Sequence, residues 1–441
     1  MKKRGASTSV VIGSLIVGLL IGAAIIYVAA PSLGLSGGGG RTTVNNSLCN
    51  GQTIHIGALN DLSGQLSSQG QADLVSEQVG IVDVNNYLKA GGCNLTFVLD
   101  NNDYKLDTPT ALSQLTAMHT SGVQVVLGPL NSGTARGILS YANSNHIVLI
   151  SPSSTAPDLH VTDVTNNYLF RTAPNDGAQG QAVARELVTY GATAVVIVNR
   201  DDTYGNGLAN ATKAFLIKDG VSAANIQGPI KYDPTINDYS SLLSQINSAY
   251  NTLNTGANAG HTYIFAVTFE ELGSILRQAK TSNSPLYNVV PWFGSDGQAQ
   301  NTKLTNTTTG PDVSHVVLPS TLFNVVNNSK TIAFVNGLTA SQRAAVASNF
   351  FYALEGYNDV WLAALSILSA GANDGTAIHS VFPTVANNYY GLTGWEGLSG
   401  NDRQPGSYQI WKAVASGGAY TWVLAGSWDF DTDTVTWLNK P

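Results

Sequence analysis

Small hydroxyl side chains follow directly after two apolar, β-branched runs of the sequence. These runs open the segments Val126–Thr134 (VLGPLNSGT) and Val148–Leu159 (VLISPSSTAPDL). In an alternating α/β protein such a break marks the carboxyl end of a parallel strand, where ligands bind in open sheets. The candidate ligand contacts are therefore Ser132, Ser153, Ser154 and Thr155. Their hydroxyl groups, with the amides of the turns and helix starts around them, suit a carboxylate.

The sequence does not contain the common catalytic and nucleotide-binding motifs. No nucleophile elbow appears, because the one G-x-S-x-G match, Gly34–Gly38, lies in a Gly-rich stretch and not at a strand-to-helix turn. H-E-x-x-H and the Walker P-loop are missing, so we expect a protein that is not an enzyme and has no metal or cofactor. Asp201 and Asp202, at a predicted strand end, leave a hydrolytic pair as the remaining enzymatic alternative. Only 11% of residues are charged and the net charge is −7. This balance, without a basic stripe, argues against a nucleic-acid partner.

The N-terminus predicts export. Lys2, Lys3 and Arg4 precede an uncharged run from Ser9 to Ala30. At about 1.5 Å per residue this run can cross a ~30 Å hydrocarbon core, and it is longer than the apolar part of most signal peptides. We therefore expect a cytoplasmic segment 1–8, a transmembrane anchor 9–30 and an extracellular remainder. A cleaved signal sequence is the alternative. The Gly-rich stretch 31–51 reads as a flexible tether.

Cysteine and asparagine usage fits an exported chain. Cys49 and Cys93 each precede a predicted strand by a few residues, so parallel pairing of those strands would place both at one sheet edge. We expect a disulfide between them, with two separate thiols as the alternative. Candidate glycosylation sequons occur at Asn45, Asn94, Asn210, Asn306 and Asn327. Sequons together with few charges suggest an archaeal cell surface.

Strand and helix patterns alternate along the chain, which predicts βαβ units with parallel sheets. The first series has strands at Thr53–Leu59, Leu95–Asp100, Val123–Gly128 and His146–Ile150, and helices at Gln69–Ala90, from Thr108 and at Thr134–Asn143. The second series has strands at Ala194–Asn199, Ile226–Tyr232, Tyr263–Val267 and Val289–Phe293, and helices near 177–190, 205–218, 238–250 and 270–281. The apolar stretch Ala344–Ala370 reads as one helix, and Tyr408–Val414 and Tyr420–Trp428 as strands.

Six motifs occur in a fixed order: GPLNSGTA, LISPSSTAPDL, YLFRTAPNDGAQGQA, DDTYGNGLA, SILRQA and FGSDG. In this order the chain resembles the leucine/isoleucine/valine-binding family of solute receptors for ABC transporters, which has the type I periplasmic-binding-protein fold. The resemblance covers roughly residues 52–430. It implies two Rossmann-like lobes joined by a three-segment hinge, with crossings near Thr172, Leu318 and Leu392. Lobe 1 would comprise 52–172 and 320–391, and lobe 2 would comprise 173–319 and 392–441.

The resemblance also implies roles for individual residues. Ser132 matches the family's carboxylate-binding serine, Thr155 a hydroxyl that binds both ends of an amino acid, and Ser153 a backbone contact. Asp296 stands where many relatives pair the ammonium, and Tyr204 matches a tyrosine that closes over the ligand from the other lobe. Each could instead be a helix cap, a turn residue or packing.

Two positions depart from the family pattern. The strand ending at Thr268-Phe269 lacks the tyrosine that some relatives have there. Gln69 stands where a number of relatives place an aromatic residue against the side chain of the solute. We therefore expect the contacts with the carboxylate and ammonium groups of an amino acid to be kept. Gln69 suggests that the side chain of the solute is polar or larger.

The expected function is an anchored extracellular solute-binding protein. It would capture an amino acid, branched-chain or related, and deliver it to an ABC permease whose ATPase is on another chain. Two alternatives stay open: a ligand-sensing receptor ectodomain, and a structural cell-surface glycoprotein with a vestigial cleft.

Overall fold

The computed structural model describes residues 47–325 and 328–441. Strands β1–β15 are Thr53–Asn60, Thr96–Asp103, Val125–Leu127, Val148–Ser151, Leu169–Arg171, Ala194–Arg200, Ile226–Tyr232, Thr262–Val267, Trp292–Phe293, Ser320–Phe323, Leu398–Ser399, Asp402–Arg403, Tyr408–Ser416, Ala419–Asp429 and Thr434–Trp437. Helices α1–α12 are Ser67–Ala90, Thr108–Thr120, Ser132–Ser144, Asp176–Tyr190, Thr203–Lys218, Ser240–Leu253, Leu272–Thr281, Gly310–His315, Ser329–Gly337, Ala340–Val346, Phe350–Ala370 and Gly375–Asn387.

The first lobe is built on a seven-stranded sheet with the order β11-β12-β5-β4-β3-β1-β2. Strands β1 to β5 are parallel, as the alternating pattern predicted. The apolar runs of β3, β4 and β5 are buried on both faces, which is typical of parallel sheets covered by helices. Helix α11 covers one face, where Val360 and Ile367 pack in the same core as Ile56 and Val148.

The second lobe combines two four-stranded sheets. One is parallel, with the order β7-β6-β8-β9, and the other is antiparallel, with the order β10-β13-β14-β15. A single parallel bridge between Gly294 and Ser320 links them. Residues of both sheets share one core, in which Trp292 and Ile264 lie in the same cluster as Ala413. The described chain is therefore an α/β fold with two lobes, each with a parallel sheet.

The lobe boundaries differ from two of the predicted crossings. Strand β10 pairs with β13, so the second lobe extends past Leu318 to Phe323. Strand β12 pairs with β5 of the first sheet, so the chain is still in the first lobe at Arg403, and the crossing predicted near Leu392 is wrong. The cause is a short hairpin, β11-β12, that is too small to be recognised from periodicity. The three crossings therefore follow Arg171, Phe323 and Arg403.

Two further elements correct the sequence-based assignment. The predicted helix Ala344–Ala370 is two helices, because α10 ends at Val346 and Asn349 adopts a left-handed conformation (φ 45°) directly before α11. The predicted strand Val289–Phe293 is reduced to Trp292–Phe293. Pro291 has no amide hydrogen to contribute to a ladder, which limits the strand on that side.

The predicted disulfide is confirmed. Cys49 and Cys93 are bonded, with their Cα atoms 4.7 Å apart. Strands β1 and β2 pair in parallel with Thr53 beside Thr96, and this register brings the two preceding loops together.

Three predicted surface features can be compared with the structure. Asn94, Asn210 and Asn306 are exposed, whereas Asn45 and Asn327 lie outside the described residues. The predicted anchor 9–30 and most of the tether also lie outside them. Within the described part of the chain, none of the helices combines the length and apolarity needed to span a bilayer.

Candidate functional site

A narrow cavity lies between the two lobes, at the carboxyl ends of the first sheet's strands. It is lined by Leu66, Gln69, Leu130, Asn131, Ser132, Ser153, Tyr204, Phe269, Asp296, Gly297 and Tyr352. The cavity volume is about 10 Å³, close to that of one water molecule. A solute as large as an amino acid can therefore enter only if side chains or lobes move apart.

Ser132 joins the two hydroxyl-rich loops that were recognised in the sequence. It is the first residue of α3, and Asn131 precedes it as the N-cap residue. The Ser132 hydroxyl oxygen accepts hydrogen bonds from the amides of Thr155 and Ala156, both at 3.1 Å. Two accepted bonds leave the hydroxyl hydrogen free to be donated. Ser132 is therefore a connector between loops that can still donate to an acceptor in the cavity.

Gln69 and Ser153 form the polar part of the first-lobe wall. The Ser153 hydroxyl donates to the carbonyl of Leu130 at 2.9 Å, and it accepts from Gln69 Nε2 at 2.7 Å. Gln69 Nε2 also lies 3.3 Å from Asp73 Oδ2. Among the described residues Gln69 Oε1 has no hydrogen-bond partner. This wall therefore presents a carbonyl oxygen that can accept from a solute.

Two of the seven predicted ligand contacts do not line the cavity. Thr155 is buried behind it, and its hydroxyl donates to Asp176 Oδ2 at 3.0 Å. Ser154 is fully buried, with its backbone carbonyl bonded to Arg171. The structure thus brings five predicted positions together around the cavity: Gln69, Ser132, Ser153, Tyr204 and Asp296.

The second lobe supplies a carboxylate held between two phenols. Asp296 Oδ1 accepts from the Tyr204 hydroxyl at 2.6 Å, and Oδ2 accepts from the Tyr352 hydroxyl. Tyr204 lies in the first turn of α5, which Asp202 caps through the amide of Gly205. Its ring stacks on Phe269 at 5.1 Å between centroids. These contacts fix the direction of both Asp296 oxygens.

Burial dominates the electrostatics of this carboxylate. Desolvation raises the pKa of Asp296, and hydrogen bonds from Tyr204 and Tyr352 oppose that rise. Asp176, also buried, has its pKa raised well above the usual value by burial and by the charge of Asp296. None of the residues lining the cavity is basic. A bound cation would therefore gain the attraction of Asp296 without displacing a resident partner.

Sequence reasoning missed several lining residues. Tyr352 gave no signal, because it lies in an apolar helix whose other residues form core. At Phe269 the sequence indicates only that the tyrosine of some relatives is replaced, and not that this residue lines the cavity. Asn131, Leu66, Leu130 and Gly297 lie within one to three residues of predicted site positions and could have been found by proximity in sequence.

The fold and the interlobe cavity define a two-lobed binding protein, and comparison with known sequences agrees. The profile of the periplasmic binding protein family matches residues 53–416. The chain therefore belongs to the periplasmic binding protein family, and the resemblance inferred from the six motifs is confirmed.

The chain is also similar to individual proteins. An uncharacterized protein of Methanocaldococcus jannaschii is 30% identical over 90% of this chain and 94% of its own length. A Leu/Ile/Val-binding protein of Rhizobium johnstonii is 29% identical over 44% of this chain and 52% of its own. The crystal structure of a leucine-binding protein from Thermotoga maritima superposes with a TM-score of 0.67 at 18% identity, covering 84% of this chain and 97% of that one. At that identity the superposition supports the fold alone.

Proposed function

We propose that the protein captures an α-amino acid between its lobes. The proposal rests on one observation, which is that the two lobes present complementary groups to the cavity. One lobe presents the buried carboxylate of Asp296, and the other presents the free hydroxyl donor of Ser132. An α-amino acid carries one group for each. Both charged ends must find partners in a dry cleft, because unpaired buried charges cost several kcal/mol.

The ammonium is assigned to the Asp296 end. Asp296 offers a desolvated negative group, which the Tyr204 hydroxyl holds in place. The carboxylate is assigned to the Ser132 end, where the hydroxyl hydrogen is available and α3 begins. The partial positive charge at a helix N-terminus favours an anion there. Thr155 and Ser153 support this end through the loops they hold.

The solute side chain is proposed to be polar. Named relatives bind leucine, isoleucine and valine, but here Gln69 supplies an amide oxygen without a partner among the described residues. An apolar side chain packed against that oxygen would leave it unsatisfied, at a cost of about 1–3 kcal/mol. A solute side chain with an N–H or O–H donor, such as that of threonine or glutamine, avoids this cost.

The cellular setting follows from the sequence and from the family. We propose an extracellular domain held by the N-terminal segment and delivering its solute to an ABC permease, with the ATPase on another chain. The protein itself is proposed to catalyse no reaction.

A binding screen tests the proposal. The ectodomain from residue 47 onward would be screened by thermal shift against the protein amino acids and a panel of sugars, and hits would be measured by calorimetry. Each hit would be paired with its analogue lacking the α-amino group. We expect the amino acid to bind and the analogue to lose at least tenfold in affinity. Equal binding of the two compounds would contradict the ammonium assignment, and binding of sugars alone would contradict the amino-acid proposal.

A further inference from the structure

The N-terminus of helix α1 is capped by a residue of the opposite lobe. Its N-cap residue is Leu66, which provides no side-chain hydrogen bond. Glu270, from the second lobe, takes that place: its Oε1 accepts from the Ser68 amide at 3.0 Å and from the Ser68 hydroxyl at 2.6 Å. The first amides of a helix have no partner within it and carry partial positive charge. A carboxylate is therefore a favourable partner for this helix end.

Further contacts tie the same two segments together. Lys303 Nζ, from the second lobe, lies 2.9 Å from Glu270 Oε2 and donates to the Ser67 hydroxyl of the first lobe. Gln65 Nε2 donates to the carbonyl of Pro234 across the gap at 2.7 Å. We call the contacts among Ser67, Ser68, Glu270 and Lys303 the interlobe clasp.

The clasp lies beside the cavity but outside its lining. Leu66 and Gln69, which flank Ser67 and Ser68 in sequence, line the cavity, whereas Glu270 and Lys303 do not. The clasp can therefore form whether or not a solute is bound, and its formation requires the lobes to be together. Contacts that exist in one conformation only shift the equilibrium toward that conformation.

We propose that Glu270 is a positioning residue that populates the closed conformation before any solute arrives. It acts through Ser68 and the start of α1, and does not touch the solute. Because the apparent affinity scales with the fraction of molecules in the competent state, the clasp would also tune affinity. Only this last consequence rests on the proposed function; the conformational effect does not depend on which solute binds.

Distance measurements on the solute-free ectodomain test the proposal directly. Spin labels on Thr120→Cys in the first lobe and Ser282→Cys in the second, both exposed positions, would report the interlobe distance by pulsed electron paramagnetic resonance. We expect a closed population in the parent. Glu270→Ala should lower the closed-to-open ratio about 10- to 100-fold, since hydrogen bonds to a charged group are lost. Glu270→Gln, which keeps an acceptor, should have a smaller effect.

Lys280 offers a matched control for Lys303. Each lies 2.9 Å from its acidic partner, and their side chains are similarly exposed, at 51% and 46%, but the Lys280–Asp312 pair lies within one lobe. Lys303→Met should lower the closed-to-open ratio, and Lys280→Met should leave it unchanged.

Two outcomes would overturn the clasp. One is a parent without a closed population, and the other is an identical distance distribution in the parent and in Glu270→Ala. Affinities for L-threonine and L-glutamine, measured in parallel, separate the two proposals: failure of both amino acids to bind would count against the proposed function while the distances still decide the clasp.

Discussion

The two walls of the cavity differ in where their carboxylate groups lie. On the second-lobe wall, Asp296 lines the cavity itself, held by the hydroxyls of Tyr204 and Tyr352. On the first-lobe wall the cavity meets Gln69 and Ser132, and the buried acids stand one layer further back. Asp73 lies behind Gln69, and burial raises its pKa well above the usual value.

Because of this difference, the two ends of the cavity favour ligand groups of opposite charge. A cation gains most at the second-lobe wall, because the Asp296 carboxylate itself lines the cavity there. An anion is better placed at the first-lobe wall, where a hydroxyl and a helix start face the cavity. The buried acids of the first lobe have no role in contacting a solute; they affect the stability of the wall. Each prediction below tests one side of this comparison.

The largest effect on binding is expected at Asp296. Asp296→Asn keeps the size of the side chain and one acceptor, but removes the charge that faces the ammonium. Loss of one member of a desolvated charge pair typically costs ~2–5 kcal/mol, or about 30- to several-thousand-fold in affinity. Calorimetry with the best amino acid from the screen measures this loss.

Asp312→Asn is the control for that substitution. Asp312 is also a buried second-lobe carboxylate, with its side chain 4% exposed, but it pairs with Lys280 away from the cavity. We expect a lower melting temperature and an unchanged affinity. Equal affinity losses in both variants would show that Asp296 acts through the stability of the lobe and not through a contact with the solute.

The next prediction concerns the buried acids of the first lobe and the pH dependence of the free energy of unfolding. Burial raises the pKa of Glu77 from 4.5 to about 7, while a hydrogen bond from Asn60 opposes the rise. Between these values the folded state binds a proton that the unfolded state releases. Glu77 therefore lowers the free energy of unfolding as the pH rises from about 4.5 to 7, by about 3 kcal/mol in total.

Glu77→Gln isolates this contribution. The amide keeps the shape of the side chain and does not titrate. The difference in the free energy of unfolding, variant minus parent, should therefore be larger at pH 7.5 than at pH 4.5. The quantity to compare is the change in stability between the two pH values, from denaturant unfolding of parent and variant. Parallel pH profiles would contradict the raised pKa. Affinity measured at pH 5 should be little affected, because Glu77 does not line the cavity.

A smaller loss of affinity is expected at Ser132, on the first-lobe wall. Ser132→Ala removes one hydroxyl donor to the solute carboxylate, and hydrogen bonds to charged groups contribute about 1.5–3 kcal/mol. It also leaves the amides of Thr155 and Ala156 without their acceptor. The combined variant with Asp296→Asn should lose less than the sum of the two effects, because both groups hold one ligand. Full additivity, measured by calorimetry, would argue against a single bridging solute.

The sequence predicted the parts of the fold that depend on local pattern. The apolar runs at Val125–Leu127 and Val148–Ser151 are long enough and β-branched enough to predict buried parallel strands, and the hydroxyl loops follow from them. The disulfide followed from the predicted neighbouring strands. By contrast, the short pairing of Asp402 with Arg171 depends on residues that are 231 positions apart and contact through a buried ion pair.

The residues around Asp296 show the same limit. Asp296 and Tyr204 were found through the resemblance, and no periodicity points to them. Tyr352 enters the cavity because the start of α11 lies at the junction of the lobes, and Asn349 turns the chain there. Such a position is fixed by tertiary packing, so the apolar pattern around Tyr352 predicts core and nothing more.

The smallest effect is expected at Gln69, where valine and threonine can be compared as solutes of nearly equal shape. The Gln69 oxygen can accept a hydrogen bond from the threonine hydroxyl and finds no donor in valine, so the parent should prefer L-threonine. A neutral hydrogen bond is worth about 0.5–1.5 kcal/mol, which corresponds to about a 2- to 12-fold preference. Gln69→Leu should remove or reverse it. Gln71→Leu, on the same helix but exposed to solvent, is the matched control and should keep the parent's preference. If Gln69→Leu and the parent discriminate equally between the two amino acids, Gln69 does not contact the solute side chain, and the first-lobe wall contributes only through Ser132 and the loop that Ser153 holds.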